Sequence, residues 1–168
     1  MKFFFDTEFI EDGKTIDLLS IAIVAEDGRE FYVRHAEANF ANADEWVQKN
    51  VFPPLGVEMT PDGWGFRAAN DWCSRSRLKA RILDFIGTEK PEFWAYYADY
   101  DWVVLCQLFG RMIDLPKGWP MYCRDLKQLC DSLGNPKLPK QENEHDALHD
   151  ARWVRDQYWS LMTKARPV

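Results

Sequence analysis

Two acidic clusters stand near opposite ends of this 168-residue chain: Asp6-Thr7-Glu8, and His145-Asp146-Ala147-Leu148-His149-Asp150. The first follows Phe3-Phe4-Phe5, a short aromatic strand. Residues i and i+2 of a strand face the same way, about 7 Å apart, so Asp6 and Glu8 project together. The second cluster adds a third carboxylate and an imidazole. Brought together by a fold, these groups make an acidic metal pocket with a base beside it, which is the chemistry of phosphodiester hydrolysis. In that arrangement Asp6, Glu8 and Asp150 hold one Mg²⁺ or Mn²⁺, and Asp6 shares a second ion with the substrate phosphate. Two ions roughly 4 Å apart activate a water and stabilise the leaving oxygen of an in-line displacement. Hard oxygen ligands select Mg²⁺ or Mn²⁺ over zinc. An imidazole exchanges its proton near neutral pH, so His145 can take the proton from the attacking water.

The elements that must position these residues are legible in the apolar pattern. Phe3–Asp6, Ile16–Ala25 and Glu30–Arg34 read as strands, joined through the turn signals Asp12-Gly13 and Asp27-Gly28. The second is almost continuously apolar, as a strand buried on both faces should be. A helix is predicted over Ala43–Val51. Pro53-Pro54, Pro61 and Asp62-Gly63 then mark a loop of about a dozen residues. A helix over Asp71–Ile86, a strand over Glu92–Tyr97 and a helix over Tyr100–Phe109 follow. Pro120–Cys123 reads as a fifth strand, Leu126–Leu133 as a helix, and Asn135–Glu144 as a loop leading into the last helix. A hairpin meander followed by β-α-β-α units predicts a mixed sheet with helices on its faces, in a single domain over residues 1–168.

The last helix shows how Asp150 is aimed. Asp146 is its N-cap, and Ala147, Leu148, Ala151, Val154, Tyr158, Leu161 and Met162 form one stripe at helical spacing. At about 100° per residue, Asp150 falls on the edge of that stripe and points toward the sheet. Its place in the first turn also suits a carboxylate, because the helix dipole is positive there. His145 approaches from the loop. A fourth carboxylate should come from Tyr97-Ala98-Asp99-Tyr100-Asp101, where strand passes to helix, and spacing alone leaves Asp99 and Asp101 as rivals.

Composition narrows the field. Hydrophobic residues are 46% and aromatics 15% of the chain, which excludes disorder. No apolar run approaches the roughly 20 residues of a membrane span, and Asp6 and Glu8 interrupt Met1-Lys2-Phe3-Phe4-Phe5 too early for a signal peptide; a cytoplasmic protein with no membrane partner is expected. Cys73, Cys106, Cys123 and Cys130 have no CxxC spacing and read as free thiols. The net charge of −6 argues against non-specific coating of nucleic acid but leaves room for action on a nucleic-acid end. Arg75, Arg77, Lys79 and Arg81 give local basic density that is equally a solvated helix face.

Other readings of the histidines fit less well. His145-Asp146 suggests the HD phosphohydrolases, but those are all-helical and need further His and Asp motifs, whereas only His35 remains elsewhere. His145 and His149 mimic the spacing of HExxH, yet an Asp replaces the Glu and the helix starts between them.

Taken jointly, Asp6-Thr7-Glu8, Tyr100-Asp101 and the H-x-A-x-x-D run from His145 to Asp150 resemble the three motifs of the DEDDh exonucleases of the RNase H-like superfamily. Within that group the chain is most similar to the polyadenylate-specific 3′–5′ exoribonuclease AS type, through Phe4-Phe5-Asp6-Thr7-Glu8-Phe9-Ile10-Glu11-Asp12-Gly13, Cys106-Gln107-Leu108 and His145-Asp146-Ala147-Leu148. The similarity is weakest between about Glu37 and Thr88. The resemblance selects Asp101 over Asp99, since the second motif ends in an aromatic followed by Asp. It implies an α/β fold, the RNase H-like three-layer α/β/α sandwich with a mixed five-stranded sheet. It implies two Mg²⁺ ions, replaceable by Mn²⁺, bound by Asp6, Glu8, Asp101 and Asp150, with His145 as base. Thr7 and Phe9 then belong to the substrate site, where the Phe9 ring could stack on the terminal base. Also implied are 3′–5′ removal of nucleoside 5′-monophosphates from single-stranded RNA ends, a preference for adenylate-rich RNA, and a homodimer. The rivals are the same chemistry on DNA, which would lack a contact to the 2′-OH, and a non-catalytic RNA- or nucleotide-binding module.

Overall fold

The computed structural model describes residues 1–67, 71–141 and 145–164. Its centre is the meander β1 (Lys2–Glu11), β2 (Ile16–Ala25) and β3 (Glu30–His35), all antiparallel. Gly13 and Gly28 stand at φ 79° and 92° in the two turns, a region open to glycine at little cost. Strand β1 outlasts the predicted Phe3–Asp6 because β2 pairs with it as far as Glu11, with a register shift at Glu8/Phe9. On its other side β1 pairs in parallel with β7 (Glu92–Ala95), but only over Lys2–Phe4. From Asp6 onward β1 therefore has strand on one side and an opening on the other. That opening lies at a carboxyl strand end where the sheet changes from antiparallel to parallel, the place where such sheets receive ligands.

The main sheet has six strands, not the five expected, in the order β6-β3-β2-β1-β7-β8. The extra one is β6 (Trp72–Cys73), which pairs with Arg34 and His35 of β3. The helix predicted from Asp71 consequently starts later, as α3 (Arg75–Ile86), with Ser74 accepting a hydrogen bond from the Arg77 backbone N–H. Strand β8 is Arg124–Asp125 rather than Pro120–Cys123. The helix predicted over Ala43–Val51 is α1 (Glu45–Asn50), capped by Asp44. The supposed loop after it holds a short helix, α2 (Phe52–Leu55), and a separate hairpin of β4 (Val57–Thr60) and β5 (Gly63–Phe66).

Alternation along β1 divides the core into layers. Phe3 and Phe5 face α3 and α4 (Asp99–Phe109), packing with Leu78, Ile82, Ile86, Trp102 and Leu105. Phe4 faces the opposite side, among Leu126, Cys130, Val154, Tyr158 and Leu161 of α5 (Leu126–Ser132) and α6 (Ala147–Lys164). Helices thus cover both faces of the sheet. Ala147 and Ala151 of α6 rest on Ala22 and Val24 of β2, so small side chains let the helix approach the sheet closely. A fourth cluster joins Ile10 and Leu19 to α1, α2 and the hairpin, with Phe66 and Trp72 stacked at 4.1 Å and 18°. The four cysteines are free thiols, three of them buried. Among the described residues no helix is long and apolar enough to cross a membrane.

Candidate active site

Asp6 and Glu8 leave β1 on the face covered by α6, and Asp150 enters from the first turn of that helix. Each of the three can offer an oxygen within 4.8 Å of the others. With Thr7, Phe9, Asp101, His145, Trp46 and Val51 they line a cavity of about 230 Å³. The residues expected from the two ends of the chain and from the strand–helix junction therefore meet in one place.

Local structure accounts for each position. Asp146 caps α6, its Oδ1 accepting from the backbone N–H of Leu148 at 3.0 Å and of His149 at 3.2 Å. That fixes the start of the helix and so the direction of Asp150, which is buried beside Ala151. Asp150 Oδ2 accepts from the backbone N–H of His145 at 3.1 Å, and Oδ1 from the side-chain amide of Gln141. His145 holds a φ of 73°, unusual for a residue with a Cβ, and its ring lies 4.7 Å from that of Trp46 at 84°. Asp99 is exposed, whereas Asp101 is buried and lines the pocket. Asp101 Oδ1 accepts two hydrogen bonds from Thr7, from the hydroxyl at 2.6 Å and the backbone N–H at 2.9 Å. Thr7 is buried and spent on that contact, while Phe9 meets Tyr100 edge to face at 5.9 Å. The start of α4 is fixed in turn by Asp125, whose carboxylate accepts from Ala98 N–H at 2.8 Å.

The electrostatics of the pocket are those of crowded anions. Burial, then the charges of Asp101, Glu8 and Asp150, hold the Asp6 carboxyl well above the usual carboxylate range. Burial and the neighbouring Asp150 and Asp101 do the same to Glu8. Asp101 is pushed up to about 6 by burial, against the opposing pull of its bonds from Thr7. Asp150 is likewise pushed up to about 6 by burial, opposed by Gln141 and the His145 N–H. Carboxylates this close cannot all be ionised at neutral pH without a compensating cation. An all-oxygen donor set of this kind fits a hard divalent ion.

Two residues that touch the site's side chains, Trp46 on His145 and Gln141 on Asp150, escaped the sequence reading. Trp46, 52% exposed, carries no spacing signal that separates it from the other tryptophans, whose default is the core. Gln141 lies in a proline-marked loop, where nothing local ties it to Asp150. Conversely, His149 is exposed on α6 and does not share the pocket, which removes the HExxH-like pairing. Arg75, Arg77, Lys79 and Arg81 do not line it either; Lys79 and Arg81 lie over Phe109 and Phe31 at 5.3 and 5.5 Å.

A mixed sheet covered by helices on both faces, with an acidic pocket at a carboxyl strand end, defines an α/β protein. It superimposes on the zinc-bound crystal structure of the E. coli ExoI–ssDNA complex with a TM-score of 0.70 and 14% identity, over 98% of this chain and 40% of that one. At that identity the likeness speaks for the fold, which is RNase H-like. Residues 63–162 match the model of the Rv2179c-like 3′–5′ exoribonuclease domain, a span that includes Asp101, His145 and Asp150. The chain is 42% identical over 156 residues to the 3′–5′ exoribonuclease Rv2179c of Mycobacterium tuberculosis strain H37Rv, covering 90% of this chain and 88% of that protein. The same figures hold for the 3′–5′ exoribonuclease MT2234.1 of strain CDC 1551. The chain belongs to the Rv2179c-like 3′–5′ exoribonuclease domain family.

Proposed function

We propose that this chain is a divalent-metal-dependent 3′–5′ exoribonuclease that shortens single-stranded RNA by one nucleoside 5′-monophosphate at a time. The observation that carries the reading is the convergence of Asp6, Glu8 and Asp150 within 4.8 Å, beside Asp101 and His145. Family membership supplies the direction of attack and the choice of RNA. Similarity to the AS type supports adenylate-rich RNA as the preferred substrate and a homodimer as the working form.

Asp6, Glu8 and Asp150 would hold the first Mg²⁺ or Mn²⁺, and Asp6 and Asp101 are the carboxylates that would hold the second. When bound, such ions neutralise the phosphate and lower the pKa of a water. Asp150 uses its oxygens to fix the loop as well as to bind, since its Oδ2 holds the His145 backbone. The His145 imidazole takes the proton of the attacking water, a contribution of about 10²–10⁴ in rate. Trp46 limits the rotation of that imidazole through the edge contact. Thr7 favours the ionised form of Asp101 by donating two hydrogen bonds to one oxygen, and Phe9 offers a ring at the cavity wall for the terminal base.

The test is degradation of a 5′-labelled oligo(A) and its deoxy counterpart with Mg²⁺, Mn²⁺ or EDTA, beside Asp6→Ala. A metal-dependent ladder receding from the 3′ end, faster on RNA and absent in the variant, is expected. No shortening with either metal would overturn the proposal, and faster shortening of the deoxy strand would reassign the substrate to DNA.

A further inference from the structure

A second cavity, of about 500 Å³, is linked to the carboxylate pocket by one hydrogen bond. Gln141 lines this cavity and donates to Asp150, which lines the other. Its chemistry is opposite to that of the pocket. Lys127, Lys137 and Lys140 line it, and no carboxylate does among the described residues. Lys127 pairs with Asp131, whereas the exposed Lys137 and Lys140 enter no ion pair among the described residues. Tyr96 and Trp153 form an aromatic wall, their rings 5.1 Å apart at 67°. Tyr97, 63% exposed at a φ of 54°, sets its ring 4.5 Å from that of Tyr96, just ahead of the helix that bears Asp101.

A chain of net charge −6 with a strongly acidic pocket repels a polyanion unless cations are provided locally. Paired lysines beside aromatic rings are what single-stranded nucleic acid binds, the cations following the phosphates and the rings meeting bases regardless of sequence. We propose that this groove holds the strand adjoining the terminal nucleotide, with Lys137 and Lys140 on its phosphates and Tyr96 and Trp153 against its bases. The assignment rests on the nuclease reading for the neighbouring pocket. It makes the groove a length sensor: a mononucleotide ester occupies the carboxylate pocket alone, and a longer strand engages both.

Lys137→Glu/Lys140→Glu alters two exposed side chains and leaves the core untouched. The variant and the unaltered protein would be compared on an RNA decamer and on the p-nitrophenyl ester of a nucleoside 5′-monophosphate. Binding of a labelled decamer would be followed by fluorescence anisotropy in EDTA, where no turnover occurs. The expected result is a rise of about tenfold or more in decamer KM and Kd, with ester hydrolysis within twofold of the unaltered protein. The salt dependence of decamer binding should also flatten, by about 1.4 in log–log slope for two lost contacts at about 0.7 each. Unchanged decamer affinity, or an equal loss on the ester, would overturn the groove assignment. If the unaltered protein hydrolyses neither substrate, the nuclease reading fails, and the anisotropy comparison still decides the groove.

Discussion

At the scale of single residues, the pocket works by contacts that keep charges in specific states. Thr7→Val deletes a hydroxyl that donates to Asp101 at 2.6 Å. Hydrogen bonds to an ionised carboxylate favour that form, so losing this one, with the backbone N–H bond retained, raises the Asp101 pKa further above about 6. The acid limb of the pH–rate profile should therefore move to higher pH in Thr7→Val, and remain in place in Thr7→Ser. Trp46→Ala should leave oligomer KM within about threefold but lower kcat by at least tenfold, a part of the 10²–10⁴ ascribed to a positioned base. Trp46→Phe should recover much of that loss, because a ring edge is what His145 meets. Equal kcat in Trp46→Ala and the unaltered protein would show that the ring contact does no catalytic work.

Among the secondary-structure elements, the close seat of α6 on β2 sets the position of Asp150. Ala151 is fully buried against Ala22 and Val24. Ala151→Leu forces extra volume into that contact at a cost of about 1–3 kcal/mol. It should weaken Mn²⁺ binding in equilibrium dialysis beyond the drop in thermal stability, because the helix that moves carries Asp150. Val154→Ala, deeper along the same face, should lower stability with little effect on the metal.

The same elements show what the sequence could and could not disclose. The turns at Gly13 and Gly28, the apolar β2 and the stripe of α6 are local signals, and the elements they predict are those that carry Asp6, Glu8 and Asp150. Strand β6 was hidden because Trp72 and Cys73 adjoin a helical pattern and gain strand character only by pairing with Arg34 and His35. The hairpin β4–β5 was masked by Pro53, Pro54 and Pro61, which read as loop although Pro53 and Pro54 lie in α2. Trp46 and Gln141 reach the site through tertiary contacts alone, and no spacing in the chain announces such contacts.

For the molecule as a whole, the crowded carboxylates link stability to pH and to metal. Their folded-state pKa values are raised, so the folded protein retains protons that the unfolded chain gives up near the ordinary carboxylate value of about 4. The resulting stabilisation is complete below that value and is lost as pH rises through about 6 for Asp101 and Asp150, and higher still for Asp6 and Glu8. The Tm of the metal-free protein should accordingly fall between pH 5 and pH 8. Mg²⁺ or Mn²⁺ at about 100 times Kd should restore about 2.7 kcal/mol at pH 8, or about 5–10 °C for a chain of this size. At pH 5, protons compete for the same oxygens and the metal should raise Tm far less. A Tm that rises steadily from pH 5 to 8 without metal would contradict the pocket as described.

The pocket gathers Asp6 and Glu8 from β1 and Asp150 from α6, elements far apart in the chain. Ribosomes release β1 well before α6, so two of these carboxylates exist for a time without the third. Until α6 settles on β2 the three oxygens do not meet, and the proposed ion site is a product of long-range packing rather than of any local segment. A chain stopped short of α6 lacks Asp150 and should take up no Mn²⁺ at this pocket.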